Sequence, residues 1–98
     1  MNRVLKDGSV QPAGPAEPSE QSILAKVQDI VRDVIDDDTI VLQMGTTARD
    51  VAGWDSLMNI RIILSAEKAF GIKVSTTEIM SLRNVGDFVR LVASRRVP

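Results

Sequence analysis

Between Ile23 and Ile35 the apolar residues fall at Ile23, Leu24, Val27, Ile30, Val31, Val34 and Ile35. That spacing predicts one buried helical stripe, with Lys26, Asp29, Arg32 and Asp33 on the opposite side. Ser19 suits the N-cap, because its hydroxyl can accept from a first-turn N–H. Asp36-Asp37-Asp38 predicts the end, since carboxylates are repelled by a helix C-terminus. A second stripe, Leu57, Ile60, Ile63, Leu64 and Phe70, predicts a helix that starts at or near Ser56 and buries that face, with Ala66 allowing close approach. Gly71 suits the left-handed position after it, and Ile72 the hydrophobic contact that often follows. Ser75-Thr76-Thr77-Glu78 fits a capping box that opens a short third helix containing Ile79 and Met80. Asn84 is the predicted N-cap of a fourth helix with Val85, Phe88, Val89 and Val92 as its stripe. Asp87 lies in its first turn, and Arg95 and Arg96 near its end, each where the helix dipole favours that charge.

The stretch between Asp36 and Asp55 has no such period. A structureless connection of about 20 residues is unusual in a compact domain. Ile40, Leu42, Met44, Val51 and Trp54 are therefore expected to tuck into the core and pin it, with room for a helical turn. Ile40-Val41-Leu42 reads locally as a strand, but no second strand exists to pair with it. The expected fold is all-α: three longer helices, one short third helix and a long first loop. Residues 1–18 hold Pro12, Pro15, Pro18, Gly8 and Gly14 without apolar periodicity, which predicts a flexible tail before a folded domain at 19–96.

Composition narrows the chemistry. The 98 residues carry 12 basic and 13 acidic side chains, a net charge of -1, which argues against general nucleic-acid binding. With no Cys and no His, disulfides, thiolate chemistry and the commonest general base are excluded. No segment approaches the roughly 20 apolar residues of a membrane span, and the start lacks the apolar core of a signal peptide. A soluble cytoplasmic protein is expected.

Ser56 is the residue on which chemistry centres. It stands where the loop gives way to the second helix, exposed to another enzyme and near a helix N-terminus that favours phosphate. A serine hydroxyl is a weak nucleophile until a base activates it, and this chain offers no His for that. Self-contained hydrolysis is thus disfavoured, whereas an external enzyme needs only the exposed hydroxyl. Asp55 has two readings: a group that helps hold a metal ion during such a transfer, or simply, like Ser56, an N-cap. Met58, expected at the surface, is either a tolerated residue or a flexible apolar contact for a partner. Trp54 either anchors the long loop or recognises a partner. Asp36-Asp37-Asp38 reads as a solvated turn, because it lacks the ligand spacing and glycine of a calcium loop.

Asp55-Ser56-Leu57 is followed by Ile60, Leu64, Glu67, Phe70-Gly71-Ile72 and Val74, then by a capped short helix and the Val85–Val92 helix. Taken together this resembles the acyl carrier protein family, a branch of the phosphopantetheine-binding carrier domains, over about residues 20–95. The resemblance implies an acyl-carrier-like four-helix bundle without enzymatic activity of its own. It implies that Ser56 receives 4′-phosphopantetheine from coenzyme A through a phosphopantetheinyl transferase, with Asp55 orienting the transferase and its metal. The arm would then supply the only thiol and hold acyl cargo as a thioester for acyl-loading and acyl-processing enzymes of fatty acid, lipid or polyketide-type synthesis. Between encounters the acyl chain would rest among the helices. Leu57, Met58 and Arg61 are the expected partner contacts, and the carrier is expected to be monomeric. Aminoacyl, D-alanyl or peptidyl cargo stays open, as does an unmodified helical interaction module. One departure stands out: housekeeping carriers of bacterial fatty acid synthesis are usually strongly acidic along the second helix, whereas this one has Met58, Asn59, Arg61 and Lys68, with Glu67 its only acid after Asp55. That implies a specialised carrier with its own partners.

Overall fold

A computed structural model describes residues 19–95. The predicted tail at 1–18, and Arg96, lie outside the described residues. Four α-helices follow one another: α1 (Glu20–Ile35), α2 (Ser56–Phe70), α3 (Thr76–Ser81) and α4 (Val85–Arg95). The long connection between α1 and α2 contains one 3-10 turn, Ala48–Asp50, and no strand occurs among the described residues.

The helix ends follow from local chemistry. Ser19 Oγ accepts from the Ser22 N–H at 3.1 Å. The Ser75–Glu78 capping box forms in both directions, at 3.1 and 2.9 Å. Asn84 Oδ1 accepts from the Asp87 N–H at 2.8 Å and caps α4. Gly71 takes the left-handed conformation, φ 68°, and the N–H of the buried Ile72 donates back to the Glu67 carbonyl. α1 ends on Asp36, itself left-handed at φ 63°, a conformation Asp tolerates better than most non-glycine residues.

The core joins three helix faces and the loop. Ile23, Val27 and Val31 of α1 meet Ile62, Ile63, Ala66 and Phe70 of α2 and Val85, Phe88, Val89 and Val92 of α4. Ile40 and Leu42 enter from the loop while Val41 points to solvent, so this extended segment alternates inward and outward without strand pairing. Two α1 side chains hold it: Arg32 Nε donates to the Ile40 carbonyl at 2.7 Å, and the Leu42 N–H donates to Gln28 Oε1 at 2.9 Å. Further on, the N–H groups of Val85 and Gly86 donate to the carbonyls of Thr46 and Met44, tying the loop to the start of α4.

The buried face of α2 differs from the sequence expectation. Leu57, Ile60 and Leu64 are 55%, 57% and 56% exposed, whereas Ile62, outside the predicted stripe, is 1% exposed. Leu57 and Phe70 lie thirteen residues apart, about 140° around a helix of 3.6 residues per turn, so they cannot share one face. Apolar residues surround much of α2, which leaves its rotation to the neighbours. α1 and α4 select the face of Ile62, Ile63, Ala66 and Phe70. Met58 falls beside this face and is half-buried rather than exposed.

Candidate functional site

The chain arrives at α2 through a tight approach. Gly53 sits at φ 89°, the region where a side chain is strained, and its would-be Cβ lies 3.1 Å from Ile35 Cγ2. Asp55 is extended and caps α2: its Oδ1 accepts from the Met58 N–H at 2.9 Å, and its carbonyl accepts from the Asn59 N–H at 2.9 Å. Capping is therefore one real role of Asp55. Its Oδ2 makes no hydrogen bond among the described residues.

Ser56 is the first helical residue and is exposed. Its own N–H and that of Leu57 have no acceptor among the described residues, so two amide dipoles remain open at the end where a helix favours negative charge. No basic side chain among the described residues is bonded to Ser56. A free hydroxyl beside open amides suits a phosphodiester link.

Trp54 and Asn59 flank this serine. The indole N–H donates to Asn59 Oδ1 at 3.0 Å, closing a bridge over the turn. Both line an apolar cleft of about 90 Å³ between α2, the long loop and the start of α4. The anchoring role of Trp54 is thus seen directly. Asn59 carried no signal in the periodicity, although a lone amide on the inner face of an apolar helix, five residues after the only tryptophan, is a cue that a polar partner must be found.

The remaining candidates separate from this centre. Arg61 is exposed and makes no ion pair or hydrogen bond among the described residues. Glu67 Oε2 accepts from the Val74 N–H at 2.8 Å. The Asp36–Asp38 run forms a turn in which Asp37 Oδ1 accepts from the Thr39 hydroxyl and N–H, at 2.6 and 2.9 Å. No group of three or more metal-ligating His, Cys, Asp or Glu side chains occurs among the described residues.

The family described as phosphopantetheine attachment site matches residues 25–92, a span that holds α2, the long loop and most of α1 and α4. The chain belongs to the acyl carrier protein family. The acyl carrier protein of Acidothermus cellulolyticus is 29% identical over 79 residues, covering 81% of this chain and 94% of that protein. That of Myxococcus xanthus is 31% identical over 74 residues, 76% of this chain and 94% of its own length. The solution NMR structure of a holo acyl carrier protein from Geobacter metallireducens superposes with a TM-score of 0.71 at 41% identity, covering 74% of this chain and 84% of that one. An all-α acyl carrier fold and a phosphopantetheine prosthetic group therefore describe this chain as well. No described helix is long and apolar enough to cross a membrane.

Proposed function

We propose that Ser56 Oγ is the attachment atom and that the protein carries cargo without catalysing its conversion. The observation that carries this reading is the exposed Ser56 hydroxyl at the first position of α2, beside two amides unbonded among the described residues. When bound, the arm supplies the thiol that the cysteine-free chain lacks. The chain's own residues present the hydroxyl, fix the backbone around it and shelter apolar cargo.

Asp55 has the geometry for a double role. Oδ1 holds the start of α2 in shape, while the unbonded Oδ2 is available to a metal ion brought by the transferase. The hydroxyl proton leaves to a base of that enzyme, since the chain has no His and the adjoining Asp55 carboxylate is committed to the helix cap and the metal.

Partner enzymes meet the outer face of α2, which carries Leu57, Arg61 and the edge of Met58. Arg61 and Lys68 are exposed and unpaired among the described residues, and Glu67 is engaged by Val74. This face matches partners with acidic rather than basic rims, which fits a specialised carrier. It works as a monomer in the cytoplasm, where coenzyme A is at hand.

Coexpression with a broad-specificity phosphopantetheinyl transferase tests the reading. Intact-mass spectrometry is expected to show one added phosphopantetheine on the wild type and none on Ser56→Ala. An unmodified wild type under those conditions overturns it.

A further inference from the structure

We propose that a groove between the last turns of α2 and the connection into α3 is a second docking site, which takes an acidic chain segment of a partner enzyme bearing one or two aliphatic side chains. This rests on the reading of the protein as a carrier that partner enzymes grip along α2, and adds where a further grip is made and by what chemistry.

Leu64, Lys68, Gly71, Ile72 and Lys73 line a groove of about 520 Å³ that is open to solvent. An open trough suits a chain laid across it better than an enclosed small molecule. Leu64 is 56% exposed, so a large apolar side chain stands there uncovered. A β-carbon at Gly71 would meet nothing within 4 Å, which leaves the backbone bare at that point.

Charge selects the occupant. Lys68 and Lys73 are exposed, and neither ammonium group has a bonded partner among the described residues. A helix C-terminus accounts for a cation at Lys68 by itself. It does not account for Lys73, which stands outside the helix. Glu67, the one carboxylate in the lining, accepts from the Val74 N–H through Oε2. Two unpaired cations thus flank an apolar surface whose single carboxylate is already engaged, and the complementary segment is acidic.

The groove is formed before anything enters it. Ile72 is buried, and its N–H donates to the Glu67 carbonyl at 3.1 Å. From α4, Arg95 Nη1 donates to the Lys73 carbonyl at 2.7 Å, and the same guanidinium pairs with Glu78 of α3. Glu67 and Arg95 therefore hold the connection from two helices, and an entering segment has only itself to order. Leu64 and Lys68 lie about 12 and 18 Å beyond Ser56 along α2, at 1.5 Å per residue. A partner anchored there leaves the attachment hydroxyl uncovered.

The test uses the full chain carrying its arm, with loading read by intact mass, so that a failed attachment is seen apart from a failed groove. The probe is the acetylated, amidated hexapeptide Glu-Leu-Glu-Glu-Leu-Glu, titrated into isotope-labelled protein and followed by NMR. Amide shifts are expected to concentrate at Ser65, Lys68, Gly71 and Lys73 and to saturate in the millimolar range. Lys68→Glu with Lys73→Glu is expected to weaken binding by up to about 30-fold, two exposed pairs being lost. Lys68→Gln with Lys73→Gln takes its place if the double reversal does not fold. Arg49→Glu, a charge reversal outside the groove lining, is expected to keep the affinity within about twofold. No shift at about 5 mM peptide overturns the site. Equal binding of the peptide with lysine in place of glutamate overturns it too, as does an equal loss in Arg49→Glu. Vesicles of phosphatidylcholine and phosphatidylglycerol that shift these amides when the peptide does not would assign the groove to an anionic lipid surface and so overturn the peptide-docking role.

Discussion

The backbone N–H of Gly86 donates to the Met44 carbonyl at 2.7 Å, and a β-carbon at Gly86 would stand 2.7 Å from that same oxygen. The contact joins the long loop to α4 at closest approach, and glycine is required by space rather than by an unusual φ. Gly86→Ala is expected to force the two backbones apart and to lower stability by about 1–3 kcal/mol despite the better helix propensity of alanine. Urea unfolding checks this. An unchanged or raised midpoint would mean that the loop yields freely there.

The rotation of α2 makes a paired prediction. Ile62 is 1% exposed and Leu64 56% exposed. Ile62→Ala is expected to cost about 2–5 kcal/mol, through lost burial and a residual cavity. Leu64→Ala is expected to change stability by no more than about 0.5 kcal/mol. Chemical denaturation of the two variants side by side reads the difference. The reverse order would restore the face suggested by the periodicity.

That contrast shows what could be read from the chain. α1 and α4 place apolar residues on one side and charges on the other, so their stripes coincide with their buried faces. Ser19, Gly71, Ser75 and Asn84 act through contacts within a few residues, and local sequence is enough to specify them. α2 has apolar residues around much of its circumference, and only packing against α1 and α4 chooses among them. The loop is held by Arg32, Gln28, Thr46 and Met44 through long-range bonds to backbone groups, which have no sequence period. The exposed place of Ser56 at a loop-to-helix junction was legible because that setting is itself local. The Asn59 partner of Trp54 was not, since a single polar residue inside an apolar run does not name its acceptor or donor.

Charge on the outer face of α2 is open to test with a cognate acyl-loading enzyme. Arg61→Glu with Lys68→Glu is expected to raise the KM of that enzyme for the carrier by up to about 30-fold, taking each exposed pair at roughly 0–1 kcal/mol. The effect is expected to shrink with added salt, and the melting temperature to stay close to that of the wild type. A lowered KM would mean that the partner's rim is basic.

Acid sensitivity has two identifiable contributors. The Arg83 N–H, at 2.9 Å, and then the Arg90 guanidinium hold Asp87 below the usual carboxylate value of 3.8. The Thr39 hydroxyl, and then its N–H, do the same for Asp37. A carboxyl whose folded pKa is depressed adds stability that is fully present above its unfolded value. That contribution is lost as pH falls through the folded value. Asp87→Asn is therefore expected to be less stable than the wild type at pH 6 and to lose less stability on acidification below about pH 4. Thermal melting across that range checks the convergence. Parallel curves would remove Asp87 from the acid response.

One hydroxyl carries the proposed function, so the most direct measurement is fragmentation mass spectrometry of the phosphopantetheinylated wild-type chain. The predicted result places the whole added mass on Ser56, at the head of α2. Localisation of the group on Ser65, Ser75 or any other side chain would contradict it.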